Sequence, residues 1–335
     1  MAIRVLHIIG SLRLGGAQIC LKQIVEHNND PAIEHFVYTL RSKQIDIPIE
    51  GAVLSNPYGN YDPRKFFDIL RICREYNIDI IHAHLHKPVL GALLTTYFQK
   101  IPVIVHEHGS IARPGIQYTF YRLMLRLLKK RASLFIAVSH AAAKQLTNYS
   151  KIEPDRVKVV YNAVDLEKFS PKPEIRQSIR NELNIAPEDI VIGFVGRLSH
   201  VKGPDILLNA FSLLIRKNPN YMLVFLGSGD MEKQLRSKAN NSGSGNRVKF
   251  LGFRENAAEI MNAFDIAAIT SRQDAFPLTP LEIMSMKIPL VSCNVYGLAE
   301  IVMDRKNALI PQKNAPSQIA DCIEQLTHNE TLRQS

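Results

Sequence analysis

Short runs of aliphatic and β-branched residues alternate along this chain with longer segments in which apolar residues recur every three or four positions. This alternation is typical of α/β proteins, in which helices separate buried parallel strands. Strands are predicted at Val5–Ile9, Phe36–Leu40, Ile78–Ala83, Val103–His106, Phe135–Ser139 and Val157–Tyr161 in the first half, and at Ile190–Val195, Tyr221–Gly227, Val248–Leu251, Ile266–Thr270, Leu290–Cys293 and Ala308–Ile310 in the second.

Each half opens with a strand, a glycine-containing turn and a helix, which indicates two copies of one architecture rather than a single large sheet. The stretch from Tyr161 to Pro173 contains two prolines and the turn-forming Asn162, so it predicts the linker. We therefore expect domains at residues 1–165 and 166–335. The segment Arg41–Asp62 has no clear periodicity and predicts irregular structure, and residues 240–246 predict a flexible loop.

The bulk composition fits two globular domains in a chain of 335 residues, of which 46% are apolar. The chain has no apolar run of 18 residues, so no membrane span is predicted, and its N-terminus reads as a first strand rather than a signal peptide. The scattered cysteines favour buried thiols in a reducing compartment over disulfides or a zinc site: Cys20, Cys73, Cys293 and Cys322.

The net charge of +10 is concentrated in the first half, where 21 Lys and Arg residues face 13 Asp and Glu residues. Such a surface suits an anionic partner, either a phosphorylated substrate or anionic lipid headgroups. Because no recognisable nucleic-acid module accompanies the charge, nucleic acid is not expected as a partner. The amphipathic stretch Tyr118–Arg131 predicts a helix whose apolar residues pack in the core while its cationic rim could contact a membrane. These apolar residues are Phe120, Leu123, Leu127 and Leu128.

A glycine-rich segment, Gly10–Gln18, follows the first predicted strand. A strand, a glycine loop and a helix N-terminus present free backbone N–H groups, which suits a phosphate. The segment is neither a G-x-G-x-x-G fingerprint nor a P-loop. The alternative is a turn that merely needs glycines.

A second such segment, Gly193–Gly203, follows the first strand of the second half and carries Arg197 and Lys202. Ligands bind at the carboxyl edge of parallel sheets, where two cations could neutralise a diphosphate and stabilise it as it leaves. The alternative is a pair of solvated surface cations.

A third segment, Asp274–Glu282, places two carboxylates eight positions apart. Asp274 lies in a predicted loop, where it could accept hydrogen bonds from sugar hydroxyls. Glu282 could bind a ribose, but Thr279-Pro280-Leu281-Glu282 also reads as a capping box in which Glu282 caps its own helix. Both interpretations of Glu282 stay open at this stage.

These three segments, in this order and each at a strand-to-helix turn, resemble those of the retaining glycosyltransferases of family four. The resemblance covers essentially the whole chain and includes His108-Gly109, Asn162–Asp165 and Gly227-Ser228-Gly229. It implies the GT-B fold: two α/β, Rossmann-like domains whose parallel sheets face a central cleft, with the acceptor side in the first domain and the nucleotide-sugar donor side in the second.

The resemblance also implies roles for individual residues. Catalytic roles are implied for His108, which would contact the donor sugar near the reacting carbon, and for Arg197, Lys202 and Asp274. The implied donor-binding set is Gly15, Gly16, Arg197, Lys202, Gly252, Phe253, Arg254, Asp274, Phe276, Pro277, Leu278 and Glu282. Within that set, Gly252–Arg254 would lie by the nucleobase, and backbone N–H groups of Phe276 and Leu278 would assist Asp274.

The implied reaction moves a hexose or N-acetylhexosamine from a nucleotide-diphosphate sugar, UDP ahead of GDP, to a glycan or lipid-linked acceptor in cell-surface polysaccharide synthesis. It keeps the anomeric configuration and needs no cofactor and no metal. We expect a cytoplasmic protein, with peripheral contact at the inner face of the membrane as an option. The alternatives are a non-catalytic nucleotide-sugar or membrane-surface binding protein, and another GT-B enzyme such as a nucleotide-sugar epimerase.

Three histidines, His82, His84 and His86, occupy alternate positions and would share one face of an extended segment. Zinc normally requires a fourth ligand, and alternate strand positions lie too far apart for all three histidines to bind one ion easily. No metal site is therefore expected. A strand end beside the binding site is the preferred interpretation, with His84 or His86 near the acceptor. The sequence also contains no Asp-x-Asp motif to bridge a metal and a diphosphate.

Three departures from the family pattern bear on these expectations. Asp274 stands where Glu is more usual, which shortens the reach toward the sugar. Lys287 stands where glycine commonly follows the helix, so an easy left-handed cap is lost. Similar sequences usually continue beyond the predicted helix Ser317–Thr327 into a helix that returns to the first domain, whereas this chain ends at Ser335. Donor binding is therefore the firmer expectation, ahead of turnover.

Overall fold

The computed structural model describes residues 2–41, 47–49, 52–54, 62, 64–112 and 114–334. The chain divides into two compact units, residues 1–162 and 163–335. The division falls between Asn162 and Ala163, slightly before the predicted boundary at 165, inside the predicted linker. Apart from a turn at 166–169, the chain has no regular element from Val160 to Lys172.

In the described part of the first unit, seven parallel strands form one sheet in the order β3-β2-β1-β4-β5-β6-β7. The strands are β1 Ile3–Ile9, β2 Ile33–Thr39, β3 Ala52–Leu54, β4 Ile80–His84, β5 Val103–Glu107, β6 Leu134–Ala137 and β7 Val157–Val159. The helices between them are α1 Gly16–Glu26, α2 Arg64–Glu75, α3 His86–Thr95, α4 Ile116–Leu128 and α5 His140–Ser150, with short 3₁₀ turns at Lys129–Arg131 and Pro154–Arg156.

In the described part of the second unit, five parallel strands form a sheet in the order β10-β9-β8-β11-β12. The strands are β8 Ile190–Val195, β9 Tyr221–Leu226, β10 Val248–Gly252, β11 Ile266–Ile269 and β12 Leu290–Ser292. The helices are α6 Pro173–Glu182, α7 Pro204–Lys217, α8 Glu232–Asn241, α9 Ala257–Met261, α10 Thr279–Ser285, α11 Pro316–His328 and α12 Glu330–Gln334, with 3₁₀ turns at His200–Lys202, Gly245–Arg247 and Tyr296–Glu300.

The core of the second unit shows why these segments fold as they do. All six residues of β9 are buried, as a strand covered on both faces requires. The apolar stripe of α7, with Leu207, Phe211 and Leu214 fully buried, packs in one cluster with Ile323 of α11. The alternation of strand and helix seen in the sequence is therefore the two-sided covering of a parallel sheet.

Two strand predictions fail. Ala308–Ile310 is not a strand; Leu309 makes only an isolated bridge with Val291 of β12. The short strand β3 lies inside Arg41–Asp62, which was predicted to be irregular, and three residues are too few to show a period. The rest of that prediction, at 42–46, 50–51 and 55–61, lies outside the described residues.

Helix α4 contradicts the predicted core packing of Phe120, Leu123 and Leu127 and confirms that of Leu128. Ile116, Phe120, Leu123 and Leu127 are 89, 57, 54 and 67% exposed, whereas Tyr121, Leu125 and Leu128 are buried. A different stripe of the same helix faces the core. No helix in the described ranges is both long and apolar enough to cross a membrane. All four cysteines are free thiols, three buried and Cys322 half-buried.

Candidate functional site

In each sheet the strand order reverses at one point. The connections that follow the two strands on either side of this point run in opposite directions along the sheet. In the second unit this point lies between β8 and β11. A crevice opens there at the carboxyl ends of the strands and is the usual ligand site of such sheets. The loop after β8 carries Arg197 and Lys202, and the loop after β11 carries Asp274.

The loops after β8 and β11 are tied to each other. The Arg272 N–H donates to the Val201 carbonyl over 2.8 Å, and Thr270 Oγ1 donates to the Gly203 carbonyl over 2.7 Å. Gly203 has φ +66°, and a Cβ there would lie 2.1 Å from the Thr270 carbonyl oxygen. Because only glycine allows both the left-handed backbone and this close approach, Gly203 fixes how near the two loops come.

Lys202 and Asp274 meet at this edge of the sheet. Lys202 Nζ lies 2.5 Å from Asp274 Oδ2, and Ser271 Oγ donates to the same oxygen over 3.2 Å. The backbone of Asp274 is held by the Gly297 N–H, which donates to its carbonyl over 3.0 Å. The side chains of Lys202 and Asp274 are 30 and 13% exposed, so the pair is partly shielded from water. The interpretation of Lys202 as a solvated surface cation is wrong.

A small pocket lies beside this ion pair. It is lined by strand ends of β8 and β11, by the ion pair and by the start of α10: Phe194, Val195, Lys202, Ala268, Ile269, Ser271, Asp274, Pro277 and Thr279. The sequence interpretation missed Ser271. Ser271 could have been found from its position directly after the apolar run Ile266–Thr270, because a hydroxyl there lies at the carboxyl end of the strand.

Glu282 does not cap α10, contrary to the capping-box interpretation. The N-cap position is Leu278, and among the described residues no side chain caps this helix. Burial raises the pKa of the Glu282 carboxyl to about 7, while the charges of Lys168 and Lys202 act in the opposite direction. Ionising this shielded carboxyl group therefore costs free energy, and the cost is not offset by capping of α10.

The remaining predicted donor-site residues of this unit lie on neighbouring strand ends. Arg197 is exposed and stands in a tight turn, where the Ser199 N–H donates to its carbonyl over 2.9 Å. The Gly227 N–H donates to the Gly252 carbonyl over 2.8 Å, which joins the loops after β9 and β10. A Cβ at Gly227 would lie 2.1 Å from the Gly196 carbonyl oxygen, so the loop after β8 abuts them as well.

The other predicted donor-site residues of the second unit differ in how exposed their side chains are. Phe253 is 45% exposed, and Arg254 is exposed with Nε donating to the Leu251 carbonyl over 3.2 Å. The side chains of Phe276, Pro277 and Leu278 are buried between Asp274 and α10. The structure thus places the predicted donor-site residues of the second unit on the loops and strand ends at one end of its sheet, and Glu282 in the first turn of α10.

In the first unit, Gly15 and Gly16 start helix α1. Gly15 is extended at φ 179°, and a Cβ at Gly16 would meet nothing within 4 Å. Neither backbone strain nor packing requires a glycine at Gly16, which weighs against the plain-turn interpretation. The open space beside a helix N-terminus is what an approaching anion needs.

His108 follows β5. Its Nε2 lies 2.9 Å from His84 Nδ1, while its Nδ1 is buried with no partner among the described residues. Burial lowers the pKa of His108 to about 3, so the ring is neutral. The sequence interpretation did not foresee that His7, His35 and His106 join the same layer, because they come from separate strands.

His86 does not share a strand face with His82 and His84, because β4 ends at His84 and His86 begins α3. Its Nε2 lies 3.8 Å from Glu107 Oε2, and its ring packs edge-on against Tyr121. The rings of His82 and His84, by contrast, have centroids only 4.2 Å apart, closer than the sequence interpretation assumed.

Two parallel-sheet, Rossmann-like units are the architecture of the GT-B class of sugar-transferring enzymes, and the ion pair lies at the usual ligand site of such a sheet. Residues 14–168 match the family model described as Glycosyltransferase Family 4, and residues 175–335 match Glycosyl transferases group 1. The chain belongs to the family-four glycosyltransferases with the GT-B fold.

Known proteins with similar structure or sequence agree with this assignment. Crystal structures of Anabaena Alr3699/HepE are similar over the whole chain. The complex with UDP has a TM-score of 0.81 and 26% identity, covering 100% of this chain and 93% of that one. The complex with UDP-glucose has a TM-score of 0.82 and 25% identity, with 99 and 93% covered.

Two relatives found by sequence carry the names of glycosyltransferases with different acceptors. The Escherichia coli UDP-Gal:alpha-D-GlcNAc-diphosphoundecaprenol alpha-1,3-galactosyltransferase is 23% identical, covering 81% of this chain and 72% of that protein. The D-inositol 3-phosphate glycosyltransferase of Jonesia denitrificans is 29% identical over 77% of this chain, and the match spans 65% of that relative's length.

Proposed function

We propose that this protein is a retaining, metal-independent glycosyltransferase that takes a hexose or N-acetylhexosamine from a nucleotide-diphosphate sugar, UDP ahead of GDP. The observation that carries the proposal is the Lys202–Asp274 pair at the carboxyl ends of β8 and β11. A nucleotide sugar presents phosphate oxygens beside sugar hydroxyls, and this pair presents a cation beside a carboxylate. The UDP and UDP-glucose complexes of the Anabaena protein support the choice of UDP.

Asp274 neutralises the charge of Lys202, with Oδ2 and Nζ 2.5 Å apart. A diphosphate competes for Lys202 through charge-assisted hydrogen bonds, and Arg197 adds a second cation. Asp274 remains anchored by Ser271 Oγ and is freed to accept from sugar hydroxyls.

The transfer itself needs no protein nucleophile and no cofactor in this proposal. The bond between the anomeric carbon and the diphosphate breaks while the acceptor oxygen bonds to the same face of that carbon. The acceptor's proton passes to an oxygen of the leaving diphosphate, and Arg197 and Lys202 stabilise the charge that develops on it. The roles proposed for Gly15, Gly16 and His108 toward the donor stay predictions.

The acceptor side of the proposal is a glycan or a lipid-linked saccharide, with a cytoplasmic location and peripheral membrane contact. It is supported by the apolar stripe of α4, in which Ile116, Phe120, Leu123 and Leu127 are exposed. Exposed Arg126, Lys130 and Arg131 border the stripe, the pattern of a helix that lies at an anionic bilayer surface. The lipid-linked acceptor in the name of the Escherichia coli relative points the same way.

Donor binding is tested by thermal melting with UDP, GDP and ADP, because a ligand that binds only the folded state raises stability by about 2.7 kcal/mol at a hundredfold excess over Kd. We expect the largest rise in Tm with UDP. Arg197→Ala should lose most of that rise, whereas Arg216→Ala, an exposed arginine on α7, should keep it. If no nucleotide raises Tm at saturating concentration, the proposed donor site is refuted.

Turnover is tested by incubation with UDP-sugars, with and without lipid-linked saccharides, in the presence of a chelator. Release of UDP together with an α-linked product from an α-linked donor supports retention. An inverted product would refute it. Nucleotide binding without any transfer or donor hydrolysis would favour the non-catalytic binding protein.

The membrane contact is tested by sedimentation with vesicles of phosphatidylglycerol and phosphatidylcholine. We expect binding that falls with added salt and with Phe120→Ser combined with Leu127→Ser. Leu166→Ser, which alters a 68% exposed leucine of the second unit, is the matched control and should bind as the unaltered protein does. Equal binding by all three proteins would disprove a role for α4.

A further inference from the structure

Histidines from neighbouring strands of the first sheet lie side by side on one face. The parallel register pairs His7 of β1 with His82 of β4, and His84 of β4 with His106 of β5. All four are buried. Ring centroids of neighbouring members are 4.2 to 5.5 Å apart, so the imidazoles form a continuous layer inside the unit.

Three members of this layer have the geometry of a metal site. His7, His82 and His84 can each offer one ring nitrogen such that the three nitrogens lie within 4.8 Å of one another. His7 Nδ1 and His84 Nε2 are 3.2 Å apart. Two nitrogen ligands at 2.0–2.1 Å from a tetrahedral zinc ion stand about 3.3 Å apart, so this spacing already fits.

The surroundings favour the form of histidine that binds metals. Burial lowers the pKa of all three residues, that of His82 to about 4, and so keeps the rings neutral. A neutral imidazole has one nitrogen with a free lone pair, which is the ligand atom.

We propose that His7, His82 and His84 bind one divalent cation of the kind that prefers imidazole, zinc foremost, as a structural ion of the first unit. Imidazole ligands suit zinc, copper, iron and nickel rather than magnesium or calcium. In this proposal the ion makes no bond to the sugar donor or the acceptor. It ties β1 to β4 at the switch point of the first sheet.

The hydrogen bonds around two of the three residues, His7 and His84, are those of a supported metal site. His7 Nε2 lies 2.9 Å from His35 Nδ1, and His84 Nδ1 lies 2.9 Å from His108 Nε2. With the ion on His7 Nδ1 and His84 Nε2, the opposite nitrogens carry the protons and donate to these two rings. Such partners orient metal-binding histidines and raise their basicity.

The same bonds give the ion a consequence for His108. If His108 Nε2 accepts from His84, the proton of His108 must sit on Nδ1. That buried nitrogen has no partner among the described residues, so it becomes a fixed donor. The ion would thereby set the tautomer of the residue predicted to contact the donor sugar.

A second group, His84, His106 and His108, satisfies the same distance condition and shares His84 with the first. Binding there through His84 Nδ1 and His108 Nε2 would use up the bond that orients His84. Binding by the first group keeps the outer hydrogen bonds of His7 and His84 intact, and the proposal is confined to it.

The test uses the full chain without a polyhistidine tag, because a tag binds the same metals. The protein is dialysed against a chelator, given excess Zn²⁺ and desalted, and its zinc content is measured. We expect close to one zinc per chain and a higher Tm with Zn²⁺ than with Mg²⁺. Less than a tenth of an equivalent, with no change in Tm, would overturn the proposal.

Variants separate the two histidine groups. His7→Gln and His82→Gln should each lower bound zinc at least tenfold, whereas His106→Gln should retain it. His328→Gln alters an exposed histidine at the end of α11 and serves as the control. Retention by His7→Gln combined with loss in His106→Gln would assign the ion to the other group and refute the proposal.

Replacing a buried histidine can prevent folding, so a measurement on the unaltered protein decides independently. Co²⁺ substituted for Zn²⁺ should give the intense visible bands of a tetrahedral site, at one equivalent, and lose them when Zn²⁺ is added. Weak bands typical of six-coordinate Co²⁺, or none, would contradict a three-histidine site.

Discussion

The carboxyl group of Glu282 is shielded in the first turn of α10 and caps nothing, which makes Glu282→Gln an informative change. Glutamine has nearly the same shape and keeps one acceptor oxygen, but it cannot ionise. The variant therefore removes the burial of a negative charge and little else. We expect it to raise the free energy of unfolding at pH 8 and to weaken nucleotide binding.

The size of the stability gain follows from the pKa. Burial raises the pKa of Glu282 from 4.5 to about 7. Each unit is worth about 1.4 kcal/mol, so ionising this residue in the folded state costs about 3 kcal/mol. Because the unfolded chain releases the proton first, unfolding is favoured increasingly as the pH rises from about 4.5 to 7, and the full cost is present above pH 7. At pH 4.5 and below the cost is absent.

The assay is urea unfolding of both proteins at pH 8 and at pH 5. With a slope of about 2 kcal/mol per molar urea, the midpoint of Glu282→Gln should lie about 1.5 M higher at pH 8. At pH 5 the difference should shrink to a small fraction of that value. Glu182→Gln changes an exposed carboxylate of α6 and should move neither midpoint.

Affinity for UDP should move the other way. A carboxylate that accepts two bonds from ribose hydroxyls contributes about 1.5–3 kcal/mol through hydrogen bonds to a charged group. Glu282→Gln should therefore raise the Kd for UDP at pH 8 by about tenfold or more, as measured by calorimetry. A variant that is less stable at pH 8 would show that Glu282 stabilises its helix after all. A variant with unchanged Kd would refute the ribose contact.

The remaining predictions concern backbone positions. Lys287 follows α10 with φ +55°, so Lys287→Gly should relieve backbone strain and stabilise the protein by about 1 kcal/mol in thermal melts. Lys238→Gly, inside α8, is the control and should destabilise by a similar amount. A lower Tm for Lys287→Gly would contradict the strain. Gly227→Ala should cost about 2 kcal/mol or more in urea unfolding, because the new methyl group meets a carbonyl oxygen at 2.1 Å. Gly16→Ala should leave Tm within about 1 °C but weaken UDP-sugar binding about tenfold, and unchanged binding would count against an anion site at α1.

The location of the proposed donor-site segments could be predicted from the sequence, because each of them directly follows a predicted strand. Gly193–Gly203 and Asp274–Glu282 each follow an aliphatic run, and the carboxyl ends of parallel strands share one edge of a sheet. Proximity of Lys202 to Asp274 follows from this rule. Their direct pairing, and the contribution of Ser271, do not, because they depend on the contact between Gly203 and the Thr270 carbonyl.

Helix α4 shows the limit of periodicity. The pattern of Tyr118–Arg131 gave an amphipathic helix, and the structure has one at Ile116–Leu128. The pattern could not say which of two apolar stripes is covered, since both recur at helical spacing. Packing against the neighbouring helices α3 and α5 decided in favour of the stripe that contains Tyr121 and Leu125.

The sequence by itself determined the alternation of strands and helices, the linker between Tyr161 and Pro173 and the loops that carry the charged residues. These properties are local, because a buried strand, the end of a helix and a glycine turn each depend on residues that are adjacent in the sequence. Tertiary structure alone decided the layer of histidines, in which His7 meets His82 across 75 positions of chain. Strand order and register are set by packing of the whole sheet, so no stretch of sequence contains them.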